Sequence, residues 1–359
     1  MPLDNREQLK LELVNFRCFK DQQFNLSSPT VITGPNGVGK TSILEALYYL
    51  SIAKSYRTKS DRELVSWNET VTRLVLTGRD FKLERALSLS PQLVKRVKKN
   101  DVVVSPLESL GYLRVVVFSP EQLNIFTGSP SLRRRFLDVI LTSTDQTYGQ
   151  ALLAYQHALK QRNSLLWQAK DLSDQLFEPW EEILATYGTE ITTKRNVLVE
   201  FIGQLINEQY QELLVNRLAR EVDVSYLVSC RSEKLKQTLA QKRFSDQRSG
   251  GTSVGPHRDD LIFKIDNYPL AQAASRGEQR SFLWALKLAE LEFVNTKDKD
   301  CRLLLLLDDM FSELDQVRSQ KLNELVVNYP AIITATDADK LLDQNINQIS
   351  LSPNVTRAN

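Results

Sequence analysis

"TVITGPNGVGKTSILEALYYL", residues Thr30 to Leu50, decides how this 359-residue chain folds. Four β-favouring residues, Thr30–Thr33, run into a glycine loop, and an amphipathic helical stretch leaves it. Gly34–Thr41 fits G-x-x-x-x-G-K-[ST] in full, and the strand–loop–helix context gives that pattern its physical meaning. Gly34, Gly37 and Gly39 allow the loop, with Asn36, to turn its backbone N–H groups inward on phosphates. The helix N-terminus that begins around Lys40, Thr41 and Ser42 adds positive potential at the same place. Lys40 supplies a point charge between phosphates, and the Thr41 hydroxyl is a ligand for Mg²⁺.

Such a loop needs a buried strand that ends in an acid. "LLLLLDD", Leu303 to Asp309, is that strand, 308 − 40 = 268 positions after Lys40. Asp308 is placed to hold Mg²⁺, and Asp309, on the other side of the strand end, to orient or activate the attacking water. A helix cap is the plain alternative for paired acids, and Asp315, where a helix starts, fits it better. Five leucines ahead of Asp308 make an uncompensated charge there costly without a cation.

Between the two motifs the texture changes twice. Val71–Val104 reads as an antiparallel meander, with turns at Gly78–Asp80, Ser90–Pro91 and Asn100–Asp101. From about Pro130 to Arg220 glycine is scarce, and Leu, Gln, Glu and Lys recur at helical spacing. That block predicts two helices running back along each other. After it, "DLIFKID", a helix over Gly277–Val294, "CRLLLLLDD", a helix over Gln316–Tyr329 and "AIITAT" restore α/β texture. The expected division is 1–118 and 250–359 as the two parts of one α/β domain, with a mainly helical lobe, 119–249, inserted.

Composition narrows the class. Apolar residues are 42% and charged residues 25%, as in an ordinary globular chain. A net charge of +2 means that any nucleic acid must be met by local patches. Three scattered cysteines without a CxxC pair argue for a reducing compartment. The start has no basic region followed by an apolar core, and no apolar run approaches a membrane span, so the reading is cytoplasmic with no membrane partner.

The layout resembles the ABC-type ATPase superfamily, and within it the Rad50/SMC-like branch. "SRGEQ", Ser275–Gln279, stands where that superfamily carries LSGGQ, with Arg276 for a glycine and Glu278 for a glutamine. "SELD", Ser312–Asp315, stands where its D-loop follows the metal strand. "SYRTKSDRELV", "VVVFSPEQLNIFTGSPSLRRRFLD" and "GPHRDDL" narrow the likeness to a DNA-repair member of the branch and extend it from about Leu9 to Thr336. The resemblance implies an α/β ATPase head with an inserted helical domain, ATP with Mg²⁺, and an ATP-dependent homodimer. In that dimer Ser275 and the backbone at Gly277 would cap the γ-phosphate held by the partner subunit's loop. It further implies Arg57 reaching toward the γ-phosphate, although Tyr56 replaces the family's histidine before it. DNA at gaps and single-strand/double-strand junctions, RecR and RecO as partners, RecA as the protein loaded and slow, DNA-dependent ATP hydrolysis complete what it implies. A transporter's soluble ATPase subunit is the alternative, and the long helical insert and the lack of a placed switch histidine oppose it. Ser119, Glu121 and Gln122 lie near the position of a glutamine loop, and Thr334 or Thr336 near that of the switch histidine.

Two readings stay open. Ser275 with Glu278 three residues on is also an ordinary capping box. Lys95, Arg96, Lys98 and Lys99, the run Arg133, Arg134, Arg135, and Lys234, Lys236, Lys242 and Arg243 are candidate phosphate contacts, or simply solvated faces.

Overall fold

The computed structural model describes residues 3, 7–168, 173–214, 220–297, 302–309, 316–336 and 346–352. Contacts divide the chain into two compact units, one of Met1–Gln122 with Asn295–Asn359 and one of Leu123–Val294.

The first unit opens with β1 (Gln8–Phe16), β2 (Phe19–Ser27), β3 (Thr30–Thr33) and α1 (Lys40–Ile52). β4 (Val71–Thr77), β5 (Lys82–Ser88), β6 (Val94–Lys99), β7 (Val102–Val104) and β8 (Arg114–Phe118) follow. In β1 Leu9, Leu11 and Leu13 alternate inward, the period-two pattern of a sheet with one wet face. Six strands pair antiparallel in the order β2-β1-β4-β5-β6-β7. The β6–β7 turn falls on Asn100 and Asp101, both at positive φ, 48° and 64°. Those residue types tolerate that region, so the expected turn forms there.

The second unit begins with α2 (Asn124–Thr127), α3 (Pro130–Thr144), α4 (Gln146–Gln168) and α5 (Glu178–Glu212). β9 (Val222–Leu227), α6 (Leu235–Gln241), α7 (Arg243–Ser249) and β10 (Asp260–Ile265) come next. β11 (Tyr268–Pro269), α8 (Leu270–Ala273) and α9 (Arg276–Lys297) complete its elements. α4 and α5 run antiparallel, as expected: Lys194 meets Asp145 at 2.8 Å near one end and Arg162 meets Glu181 at 3.2 Å toward the other.

"DLIFKID" departs from the expectation. It forms β10, which pairs antiparallel with β9, Asp260 opposite Leu227 through Ile265 opposite Val222. Phe263 and Phe282, on β10 and α9, stack edge-on with Phe126 at 5.0 and 5.3 Å. The contacts therefore carry 250–294 with the helical unit, and the return to the first unit comes at Asn295, not at 250. β9 itself, "VDVSYL", was not expected.

The chain re-enters the first unit with β12 (Leu303–Asp308), α10 (Gln316–Asn328), β13 (Ala331–Ala335) and β14 (Asn347–Ser350). With β3 and β8 they make a five-stranded parallel sheet, order β14-β3-β13-β12-β8. β12 is buried along its length, as a central parallel strand covered on both faces should be. Leucines of α1 and β1 share one core with Val115 and Val117 of β8 and Leu304 and Leu306 of β12. α1, expected to be amphipathic, is instead buried along its whole stretch from Ser42 to Ser51, including Glu45, so the helix is packed nearly all round and is fixed on every side. Its last turn is held by the buried Arg85, whose Nε donates to Leu50 O at 2.7 Å. That rigid helix positions the glycine loop.

Candidate functional site: the phosphate-loop cleft

The loop between β3 and α1 depends on two glycines. Gly39 has φ +104°, and a Cβ there would lie 2.7 Å from Cys18 Sγ and from Phe19. Gly34 has φ +144°, and a Cβ there would lie 2.5 Å from Leu351 O. No other residue fits either place. Lys40 Nζ donates to Gly34 O at 2.6 Å and to Pro35 O at 3.1 Å, so the ammonium is folded onto its own loop.

β12 delivers Asp308 to the start of α1. Asp308 Oδ1 accepts from Thr41 Oγ1 at 3.0 Å and Thr334 Oγ1 at 2.8 Å, and Oδ2 from Tyr56 OH at 3.4 Å. The carboxyl is buried, and that burial pushes its pKa up, offset in part by the threonine hydroxyls. Asp309 stands next, at φ +47°, with its N–H on Thr334 Oγ1 at 3.0 Å. Thr41 and Asp308 offer hard oxygen donors side by side, and a cation between them would reverse the cost of burying the carboxylate. Mg²⁺ takes one or two such ligands and completes its shell with water and phosphate oxygens, so the donor set fits.

A cleft of about 800 Å³ gathers Asn36, Gly37, Gly39, Lys40, Thr41, Ser42, Arg57, Asp308, Asp309 and Thr334. Gly34 alone of the loop residues expected at the nucleotide is outside that lining, and its role here is the turn. Tyr56 is desolvated and its pKa is raised well above the usual value, so it stays a donor to Asp308. Two residues of this site escaped the sequence reading. Arg17, also in the cleft lining, makes a bidentate pair with the fully buried Glu45 of α1, Nε to Oε2 at 2.8 Å and Nη2 to Oε1 at 2.6 Å. Glu45 also takes Ser55 Oγ and, at a loose 3.4 Å, Arg57. One buried acid thus orients two arginines of the cleft. Nothing in a single sequence marks a glutamate in a helical run for that.

A family model described as "AAA domain" matches residues 10–350. The DNA replication and repair protein RecF of Clostridium tetani is 32% identical over 346 residues, 92% of this chain and 93% of the relative. That of Streptococcus equi subsp. zooepidemicus is 35% identical, with 95% of each chain covered. The chain belongs to the RecF family of DNA replication and repair proteins. A solved RecF with ATP, described as a recombination mediator protein of the RecFOR pathway, superposes at TM-score 0.87 with 28% identity over 97% of this chain and 96% of that one. The Smc head domain of Pyrococcus furiosus, at 17% identity and TM-score 0.52 over 96% of this chain and 93% of that one, shares the fold. The ATPase-head fold expected from the motifs is therefore the fold of this RecF member, and the Smc head shares it.

The remaining expected residues lie apart from this cleft's lining. Ser275 N donates to Glu278 Oε2 at 2.7 Å and Glu278 N to Ser275 Oγ at 3.3 Å, a complete capping box at the start of α9. Ser275 remains exposed. The segment Ser312–Asp315, with its D-loop likeness and the cap expected of Asp315, lies outside the described residues. On β6, Arg96 is exposed, while Lys95 pairs with Asp61 at 2.5 Å and Lys98 with Glu84 at 3.3 Å. Lys99 lies 4.3 Å over the Tyr112 ring. Arg133 corrects its expectation as a phosphate contact. Its guanidinium grips Asp260 at 2.7 and 2.9 Å and also donates to Gly128 O at 2.8 Å and Ile125 O at 3.3 Å, all within the second unit. Arg134 donates to Asp259 O at 2.8 Å, and Arg135 is half-buried. Among the described residues no helix is long and apolar enough to cross a membrane.

Proposed function

We propose that this RecF-family chain is an ATP-driven DNA-repair switch: it binds ATP and Mg²⁺, dimerises on them, clamps DNA at gaps and junctions, and releases it by slow, DNA-dependent hydrolysis. RecR and RecO are its proposed partners, RecA the protein it helps to load, and the cytoplasm its compartment. The observation that carries the reading is the single cleft in which the phosphate loop, Asp308, Asp309 and Arg57 meet. The ATP-bound RecF neighbour supports it.

In this reading Lys40 leaves the two carbonyls of its own loop and takes the phosphates, a charged acceptor replacing neutral ones. Thr41 and Asp308 would hold the cation, which would supply neutralisation of phosphate charge. Asp309 orients the attacking water and accepts its proton. Arg57, held only loosely by Glu45, is free to turn toward the γ-phosphate. Ser275 and Gly277 of the partner subunit close the site. ATP that is fully bound only between two subunits draws monomer to dimer by mass action. Arg96 and its neighbours on β6 are the proposed phosphate contacts to DNA, joined by Arg135 of α3.

Light scattering with and without ATP and Mg²⁺ tests this. ATP should double the wild-type mass, Ser275→Arg should abolish the doubling, and Asp309→Asn should prolong it. A wild-type chain that binds ATP and stays monomeric would leave Ser275 and Glu278 as a helix cap alone and remove the clamp.

A further inference from the structure

The cleft has an aromatic wall that the phosphate chemistry does not use. Trp67 is 94% exposed and, among the described residues, is the only aromatic side chain lining the cleft. Scattered surface apolar residues are common, so exposure alone says little. Position and stiffness say more. Ser66 donates from Oγ to Arg17 O at 2.9 Å and to Phe19 O at 3.3 Å, and from N to Asn15 O at 2.9 Å. Glu69 N returns to Ser66 O at 3.1 Å, and Asn15 Nδ2 donates to Glu69 at 3.2 Å. The turn that carries Trp67 is thus pinned to the β1–β2 corner at both ends. That corner is itself tight against the phosphate loop, where Cys18 leaves no room for a Cβ on Gly39. The contacts run from Gly39 through Cys18, Arg17 and Ser66 to Trp67, and the same cleft is lined by Thr41 and Asp308, which are joined at 3.0 Å.

Given the nucleotide site argued above, on which this inference rests, a triphosphate anchored at Lys40 and Thr41 leaves its base to be covered elsewhere in the cleft. We propose that Trp67 is the platform on which the base of the bound nucleotide stacks. A planar indole face carried on a pinned turn can stack on any base, so the residue sets affinity for a nucleotide over a bare polyphosphate. It does not choose between bases.

The test compares ATP with inorganic tripolyphosphate, both with Mg²⁺, by calorimetry on the full chain. Trp67→Ala should weaken ATP roughly 5- to 150-fold, the size of one base–aromatic stack. Tripolyphosphate should change less than about twofold, because its contacts are untouched. Trp67→Phe should restore most of the ATP affinity and remove the ATP-induced change in intrinsic fluorescence. Lys40→Ala, as a control, should weaken both ligands. Equal ATP affinity in wild type and Trp67→Ala would overturn the proposal. So would equal loss of both ligands, which would make Trp67 a prop for the loop, or normal ATP binding with lost dimerisation, which would make it an interface residue. Wild type binding neither ligand would bring down the nucleotide reading itself, and this proposal with it.

Discussion

Buried charge is treated in opposite ways by the arginine networks of the helical unit and by Lys40 and Asp308 at the phosphate loop of this RecF chain. In the helical unit Arg162 is fully buried, and its donors reach Glu181 at 3.2 Å, Asp246 at 2.8 Å, Thr252 Oγ1 at 2.8 Å and Leu239 O at 2.8 Å. Arg195 is likewise satisfied by Asp138, Tyr148, Tyr226 and Pro256 O. In the cleft of the other unit Asp308 is equally buried, but the hydrogen bonds described for it come from three hydroxyls. Lys40, also buried, leans on two carbonyls. Neutral partners lower the cost of burying a charge without cancelling it, so these groups gain when a ligand of opposite charge arrives. In the helical unit charges matched by charges hold the fold together; at the phosphate loop, where a ligand of opposite charge can enter the cleft, charges matched only by dipoles are available for exchange.

The sharpest break in that comparison is Arg162→Met. It would strand Asp246 and weaken the hold on Glu181, and breaking one partner out of a buried network costs roughly 3–5 kcal/mol. Urea unfolding should show a loss of that order. A loss under about 1 kcal/mol would mean that the network is no more committed than the cleft.

Asp308→Asn should do the reverse. Burial raises the Asp308 pKa, so the native state binds its proton more tightly than the unfolded chain, and the group's contribution to stability falls as pH rises through the unfolded value toward the raised one. At neutral pH an amide removes that cost. Without Mg²⁺ the variant should match or exceed wild type in urea, while ATP turnover falls on the order of 10²–10³-fold through loss of several kcal/mol of metal-assisted stabilisation. Destabilisation without Mg²⁺ would show that Asp308 is a structural acid.

How much of this was legible in the sequence follows the range of the interaction. The phosphate loop, β12 with its terminal acids and the β6–β7 turn are encoded within a few residues, and they stand where the sequence placed them. β10 looked like a returning strand of the head because its pattern shows that it pairs, not with what. Its partner β9 precedes it by some 30 residues of helix and loop, and "VDVSYL" alternates too briefly to stand out from the helical block. Arg133 in the basic run of α3 misleads similarly, since the Asp260 that commits it lies 127 positions away. Arg243 of another candidate patch is committed to Glu181 and Asp174. Trp67 carries no sequence signal; only its exposure in the cleft singles it out.

His257 belongs with the committed groups. Burial, its largest influence, pushes its pKa down to about 4. The ring sits between Tyr155 OH at Nδ1, 2.6 Å, and Thr252 O at Nε2, 3.0 Å. Nε2 must carry the proton to meet a carbonyl, so Nδ1 accepts from the tyrosine and the ring is neutral. An unfolded histidine takes its proton near pH 6.5, so stability is full above that value and is lost as pH falls toward 4. The loss reaches about 3 kcal/mol at 1.36 kcal/mol per pKa unit. His257→Gln should flatten that part of the curve of urea midpoint against pH; an unchanged curve would mean that the ring is protonated in the fold.

Ser275 straddles the comparison, and the smallest change tests it best. Its Oγ accepts from Glu278 N at 3.3 Å, a long bond, and its backbone N–H already has the Glu278 carboxylate at 2.7 Å. Arg220 holds that carboxylate from the other side at 2.9 Å. Glycine is nearly as good an N-cap as serine, so Ser275→Gly should cost only a few tenths of a kcal/mol in stability. It deletes the hydroxyl all the same. If the cap is the whole role of Ser275, ATP-dependent mass doubling should survive in the glycine variant as it does in wild type. If the hydroxyl also meets the γ-phosphate of a partner subunit's nucleotide, doubling should require more ATP while the unfolding curve hardly moves. Arginine at the same position blocks the surface and disturbs the cap together, so it cannot separate the two; glycine can, because it removes one atom's chemistry and leaves the helix start in place.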